Sequence, residues 1–120
     1  MPWPMVHFAI ADRVCCGEPS PSFLIGSIAP DAIHARAGST REDKERTHFV
    51  QNGTLPTVDE IGRQAAHFFH QDEAPEWKAF VRGYMSHVYA GVRAFISETS
   101  KELMALYSEW GIDFSAEVHA

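Results

Sequence analysis

The sequence predicts an all-α protein, a single domain over residues 1–120 folded as a bundle of about five helices. Apolar residues recur with a helical period in several segments, and no segment alternates between apolar and polar residues as a half-buried strand would. With 45% hydrophobic and 22% charged residues, the composition is that of a globular protein. A chain of 120 residues can bury roughly two thirds of the surface of its unfolded form.

Proline and glycine mark the limits of the first two helices. Residues 4–16 begin with a proline, which suits the first turn of a helix, and run without a helix breaker until Gly17. Ser20 caps a second helix from Pro21 to about Ala29. This helix ends before Pro30, because proline disfavours helical geometry in the residue that precedes it.

The rest of the chain predicts a long loop and then the longer helices. The glycine-rich and charged stretch from Arg36 to Gly53 is expected to be a loop. Thr57 and Glu60 have the spacing of a capping box, which predicts that a third helix starts there. Pro75 opens the longest helical pattern, and Leu103 to Trp110 continues an apolar face in a last helix.

Charge and cysteine content exclude several classes of protein. The net charge of −6 argues against nucleic acid as a partner, because such binding depends on clustered Lys and Arg. Cys15 and Cys16 are adjacent, so they cannot form the long cross-links of small secreted domains, and a cytoplasmic location is expected. The apolar start of the chain is too short and too often interrupted for a transmembrane segment.

Four residues far apart in sequence have the chemistry of metal ligands. His7 lies in an apolar helix and should be buried, so its ring needs a carboxylate, a backbone carbonyl or a metal as partner. Asp31 follows a helix stop, where it is either a ligand or a cap. His48 ends a charged run that is otherwise a solvated face, and His34 could support the same site.

His87, the fourth candidate, lies between two glycines on the longest helix. Gly83 and Gly91 are one turn before and one turn after it, so another group can approach the imidazole closely. That group is either a metal with its other ligands or a neighbouring helix that packs against small residues. His67 and His70 have a chelating spacing but are expected at the surface.

Four strings of the sequence together resemble a known family. They are MPWPMVHF (residues 1–8), FLIGSIAPDAIH (23–34), TREDKERTHF (40–49) and FVRGYMSHVYA (80–90). In order and spacing they resemble the bacterial zinc-dependent phospholipase C family, over roughly the first ninety residues. That family is all-α, cleaves phosphodiesters and holds zinc ions with histidines and aspartates.

The resemblance implies roles for individual residues. Asp31, His48 and His87 would be ligands of one zinc ion, and His7 would belong to a neighbouring zinc. A metal held in this way activates water for attack on phosphorus. The family pattern has a bridging aspartate four residues after the histidine, where this chain has Gly91.

Two further features differ from the family pattern. The family uses a terminal tryptophan amine as a ligand, whereas Trp3 here follows two residues and is at most a supporting residue. Family members also continue through more helices, so the chain is expected to be truncated or rebuilt after about residue 91. The apolar last helix, Leu103 to Trp110, makes a homo-oligomer plausible.

Two functional hypotheses follow from these observations. The first is a zinc-dependent hydrolase of phosphoric esters that holds one or two zinc ions and acts on a small-molecule phosphoester. The second is a non-catalytic relative that keeps the helical scaffold or one weak metal site and acts as a binding or oligomerisation module. Gly91 is the residue that most favours the second hypothesis.

Overall fold

The fold is described from a computed structural model, which describes residues 4–92 and 96–114. Within those residues the chain is helical and has no strand, so the predicted all-α class is confirmed. The helices are α1 (Pro4–Val14), α2 (Pro21–Ile28), a 3₁₀ helix (Ala29–Ala35), α3 (Arg41–Thr47), α4 (Val58–Phe69), α5 (Pro75–Ala90) and α6 (Ile96–Glu109).

Helix α5 is the centre of the structure. Ten of its sixteen residues are buried, and it packs against α1, α2, α4 and α6. The side chains of the apolar core come from these helices and from the turn after α6. They are Ile10, Ala11, Val14, Phe23, Ile61, Ala65, Phe69, Val81, Met85, Val88, Tyr89, Ala90, Leu103, Tyr107 and Ile112.

The contact between α2 and α5 is made by glycines on both helices. A Cβ atom at Gly26 would overlap the carbonyl oxygen of Phe80, and one at Gly83 would overlap the carbonyl oxygen of Phe23. Each glycine therefore faces the backbone of the other helix, and the two backbones lie closer than side chains would allow. Gly83 thus takes the helix-packing role that was one of its two predicted roles.

The break after α2 exposes a backbone carbonyl at the centre of the fold. Ser20 caps α2 by accepting a hydrogen bond from the backbone N–H of Phe23. At the other end Pro30 has no N–H, so it cannot donate to the carbonyl of Ser27 in the tighter 3₁₀ pattern that follows. The Ser27 carbonyl accepts a hydrogen bond from His87 of α5 instead, at 2.7 Å.

The loop predicted from Arg36 to Gly53 is wrong over its middle part, where α3 forms. Thr40 and Asp43 make a complete capping box, in which each side chain accepts a hydrogen bond from the other residue's backbone N–H. Arg36 and Arg46 both pair with the Asp43 carboxylate, which stabilises the first turn. This helix has no buried residue, so its sequence carries no apolar stripe to indicate it.

Helix α6 packs back onto the bundle. Leu103 and Tyr107 are buried, and Trp110 lies against Gly62 of α4. The apolar face from Leu103 to Trp110, from which self-association was predicted, is the face that packs against the bundle. No helix in the described ranges is long and apolar enough to cross a lipid bilayer.

A buried arginine fixes the turn after α6 to α5. The Arg82 guanidinium donates hydrogen bonds to the carbonyl oxygens of Ile112 and Asp113, at 2.6 and 2.9 Å. The same group lies over the ring of Phe114, 4.3 Å from its centroid. Residues 96–114 are therefore an integral part of the bundle, although the family resemblance does not extend to them.

The glycine contact gives a prediction about stability. We expect Gly83→Ala to lower the free energy of unfolding by about 3 kcal/mol, because the added methyl meets backbone atoms that cannot change rotamer. Gly91→Ala is the control, since its methyl would lie 3.2 Å from the nearest atom and its φ of −64° suits any residue. Urea unfolding with chelator present measures both changes, and equal effects of the two substitutions would contradict the close contact.

Candidate metal centre

The structure brings the four predicted ligand residues together from four separate elements. His7 lies on α1, Asp31 in the 3₁₀ helix, His48 just after α3, and His87 on α5. His48 Nε2 is 3.0 Å from Asp31 Oδ1 and 3.1 Å from His87 Nε2. His87 Nε2 is 3.4 Å from the same Asp31 oxygen.

His7 joins this group through His87 and Asp31. The rings of His7 and His87 stack with centroids 3.7 Å apart and planes 9° from parallel. Ligand atoms of His7, Asp31 and His87 all lie within 4.8 Å of one another. The centre therefore consists of two overlapping triads, Asp31–His48–His87 and His7–Asp31–His87, which share Asp31 and His87.

The tautomer of His87 follows from its hydrogen bond to the backbone. The carbonyl of Ser27 can only accept, so Nδ1 of His87 must carry the proton and donate it. Burial lowers the pKa of His87 and keeps the ring neutral. In the neutral ring Nε2 then has a free lone pair, and this lone pair points into the centre.

The same reasoning assigns the proton of His48. The Thr47 hydroxyl donates to the carbonyl of Lys44 at 2.9 Å, so its oxygen is left as an acceptor towards the neighbouring ring. His48 Nδ1 lies 3.0 Å from that hydroxyl oxygen and 3.0 Å from the Lys44 carbonyl oxygen. Because both neighbours accept, Nδ1 carries a proton and donates it, which leaves Nε2 facing Asp31 and His87.

Three possible ligand atoms therefore converge. The Nε2 atoms of His48 and His87 and the Oδ1 atom of Asp31 lie 3.0 to 3.4 Å from one another. Three such atoms at these distances are stabilised by a proton or a metal ion among them. Ligands of a tetrahedral zinc ion are about 3.3 Å apart, and imidazole nitrogens with a carboxylate oxygen are a normal zinc donor set. The residues present thus fit a zinc ion.

His7 provides an independent indication of a missing ligand. Its side chain is 1% exposed, and neither ring nitrogen has a hydrogen-bond partner among the described residues. Burial and the neighbouring ring of His87 lower its pKa from 6.5 to about 4, although Asp31 opposes this shift. A buried polar group without a partner costs about 1–3 kcal/mol, and a ligand held by His7, Asp31 and His87 is one arrangement that would remove this cost.

The other residues suggested by the sequence divide into two groups. Trp3 and the side chain of His34 lie outside the described residues. His67 and His70 are exposed on and just after α4, as expected of surface histidines. Asp31 contacts His48, which favours the ligand role over the cap that was its alternative.

Among the described residues, Asp31 is the only carboxylate in the group that could hold a metal ion. The other members of that group are His7 and His87. Asp72 caps the start of α5 by accepting from the backbone N–H of Ala74, about 20 Å along the helix from His87. The residue in register with His87 one turn later is Gly91, and it is exposed.

A cavity of about 550 Å³ opens beside the centre. His48, His87 and Gly91 contribute to its wall, together with the basic residues Arg41 and Lys44. The cavity gives a small molecule access to the two imidazoles. Its basic residues lie on α3, which was predicted to be part of a loop. From the sequence, only their charge could have indicated that they line a cavity.

A second cavity of about 360 Å³ is apolar and does not include any of the four ligand residues. Phe49, Trp77, Phe80 and Tyr84 contribute aromatic rings to its wall. The Tyr84 hydroxyl donates to the carbonyl of Thr47 at 2.5 Å. This bond ties the end of α3 to α5 and so supports the position of the histidine that follows.

The unpartnered His7 gives a prediction about pH. The folded protein disfavours the charged ring, so protonation of His7 favours the unfolded chain. His7 therefore does not lower the free energy of unfolding above pH 6.5, and lowers it progressively as the pH falls from 6.5 to about 4. Over that interval His7 should contribute a loss of about 3 kcal/mol in metal-free protein. In His7→Phe this contribution is absent, so the unfolding free energy should fall less steeply with pH. His70→Phe should keep the wild-type slope, and a parallel slope in both variants would contradict the assignment.

The comparisons with known proteins do not assign this centre to a family. No family model, no curated protein and no solved structure matches the chain. The roles of His7, Asp31, His48 and His87 therefore depend on the geometry, the burial and the tautomers described above. The likeness to the zinc-dependent phospholipase C family enters as a hypothesis about the chemistry that such a centre supports.

Proposed function

We propose that this protein is a zinc-dependent hydrolase of phosphoric esters. The observation that carries the proposal is the convergence of one atom each from Asp31, His48 and His87 at the spacing of zinc ligands. The unpartnered, buried ring of His7 beside them supports a neighbouring position for a second ion. The four ligand residues are those that the family resemblance indicates.

In this proposal, side chains would hold the metal ion and backbone carbonyls would orient the side chains. Asp31, His48 and His87 would hold the first ion, and the backbone carbonyls of Ser27 and Lys44 fix the ring orientations. When bound, zinc lowers the pKa of water so that it can attack phosphorus near neutral pH. Substrate enters by the cavity of about 550 Å³.

The cavity agrees with a small anionic ester as substrate. Lys44 in its wall carries positive charge, which counters the charge of a phosphodiester, whereas Arg41 is paired with Glu45 of the same wall at 3.7 Å. The described cavity wall has no feature that selects a lipid, so we propose a small-molecule phosphoester as substrate. The free cysteines Cys15 and Cys16 favour the cytoplasm as the location.

Gly91 favours a second candidate function, a non-catalytic relative with one weak metal site. A carboxylate at this position would bridge two ions in the family pattern, and glycine supplies none. In that case the centre would bind zinc to stabilise the bundle and would not turn over substrate. The two candidates differ in activity and agree in metal binding.

Metal analysis and a model phosphodiester test the proposal. The purified protein should contain about one zinc ion or more and should hydrolyse bis(p-nitrophenyl) phosphate, because three ligands and an open cavity are present. Chelator should abolish the rate, and added zinc should restore it. Retained zinc without any rate on this or other small phosphoesters would favour the non-catalytic candidate.

Ligand variants show whether the assigned residues hold the metal. His48→Ala and His87→Ala should each weaken zinc binding by more than about 100-fold and remove the rate, since each deletes a ligand at a buried or half-buried position. His67→Ala is the matched control, because this histidine is exposed on α4. Loss of rate with full zinc content in either ligand variant would contradict the proposed roles.

A further inference from the structure

We infer that the apolar cavity of about 360 Å³ binds a neutral, flat aromatic compound with the size of two fused rings. The cavity lies between the end of α3 and the helices α4 and α5. Its wall includes none of the four candidate metal ligands, so the inference does not depend on the proposed metal centre. The bound compound would also hold α3, which has no buried residue, against the bundle.

The volume of the cavity sets the size of its ligand. A cavity of about 150 Å³ that is lined by apolar side chains binds benzene. The cavity of about 360 Å³ has room for a larger ring system, and its volume lies in the range of small-molecule sites, roughly 300–1,000 Å³. A naphthalene ring system fits this volume and leaves room for a small substituent.

Aromatic rings form more than half of the cavity wall. They are partly exposed, and they come from Phe49, Phe68, Trp77, Phe80 and Tyr84. Along α5 the rings of Trp77 and Phe80 stack with centroids 5.8 Å apart, and the Tyr84 ring lies 6.2 Å from that of Phe80. Aromatic rings gain offset-stacked or edge-to-face contacts with one another, so this wall favours a flat aromatic ligand over an aliphatic chain.

The polar side chains of the wall already have partners within the protein. Trp77 Nε1 donates to a carbonyl of α4 at 2.7 Å, and the Tyr84 hydroxyl donates to the carbonyl of Thr47 at 2.5 Å. The Thr47 hydroxyl donates to a carbonyl of α3 at 2.9 Å, and the Arg46 guanidinium pairs with Asp43. Water in a cavity needs two to four polar partners, so an apolar ligand displaces water from this wall at little cost.

Phe49 occupies a backbone conformation that a large residue rarely adopts. Its φ is 58°, and the N–H groups of Phe49 and Val50 donate to carbonyls of the last turn of α3. Many helices end in this pattern at a glycine, which would make the turn without strain. The aromatic side chain therefore indicates a role other than the turn. Its ring lies in the cavity wall, with its centroid 6.0 Å from that of Tyr84.

A bound ring system would give α3 contacts that the helix itself lacks. Arg46, Thr47 and Phe49 contribute one side of the cavity wall, and the rest belongs to α4 and α5. A ligand between the two sides would bury apolar surface on both. His48 lies between Thr47 and Phe49 in the chain, so the same contacts would also fix the position of this histidine.

Titration with 2-naphthol tests the site. This compound is neutral near pH 7 and has two fused rings, and we expect a Kd on the order of 100 µM by calorimetry. The 1-methylquinolinium ion has similar rings and a positive charge. It should bind at least about tenfold more weakly, because the described wall includes no carboxylate to offset its lost hydration. Tighter binding of the cation, or no binding of 2-naphthol, would overturn the inference.

Two variants of the wall locate the binding site. Phe49→Gly should raise the Kd of 2-naphthol on the order of tenfold, because it removes one ring and suits the turn. Val81→Phe should do the same by filling part of the cavity. Met104→Ala, at an exposed position of α6, is the control and should leave the Kd unchanged. Circular dichroism and urea unfolding show which variants fold, and a wild-type Kd in either folded wall variant places the ligand elsewhere.

Hydrogen exchange tests the effect on α3. At about ten times its Kd, 2-naphthol should slow amide exchange in residues 41–50 about tenfold, if the helix leaves the bundle only when the ligand is released. Exchange in α6 should change less. Binding without slower exchange in residues 41–50 contradicts the role of the ligand in holding α3. An affinity that falls as protein concentration rises, together with a dimeric mass, would show that a second copy covers the cavity and would also overturn the inference.

Discussion

The close contact between α2 and α5 is the constraint on which the centre depends. Gly26 and Gly83 let the two helix backbones meet, and no side chain separates them there. One turn beyond Gly83 this approach brings the carbonyl of Ser27 within hydrogen-bond distance of the buried His87 ring. A wider separation of the helices would leave that ring without its acceptor, and neither its tautomer nor its orientation would be fixed.

Backbone carbonyls thus set the chemistry of the side chains in the centre. Ser27 and Lys44 each accept from an Nδ1 atom, so the Nε2 atoms of His87 and His48 face Asp31. The buried ring of His7 beside them has no hydrogen-bond partner among the described residues, which costs stability. If the centre binds a cation as proposed, metal affinity would be coupled to the stability of the fold.

Much of the helical framework could be read from the sequence because its signals are local. Proline at first turns, the Thr57 capping box and the apolar period of α5 gave helix positions that agree with the structure. Helix α3 was missed because it has no buried face, and its stability comes from a capping box and from arginines that pair with Asp43. The sequence shows the apolar face of α6, but the helices that cover this face are distant in the chain, and no local pattern identifies them.

The sequence by itself determined the residue types of the centre and the lack of a side chain at Gly91, because side-chain chemistry is a property of single positions. Only the tertiary structure decided that His7, Asp31, His48 and His87 meet, since their separations of up to eighty residues close only when four elements pack together. The ring tautomers and the cavity that Gly91 borders were decided there too. They arise from groups on different helices, whose distances exist only in the folded chain.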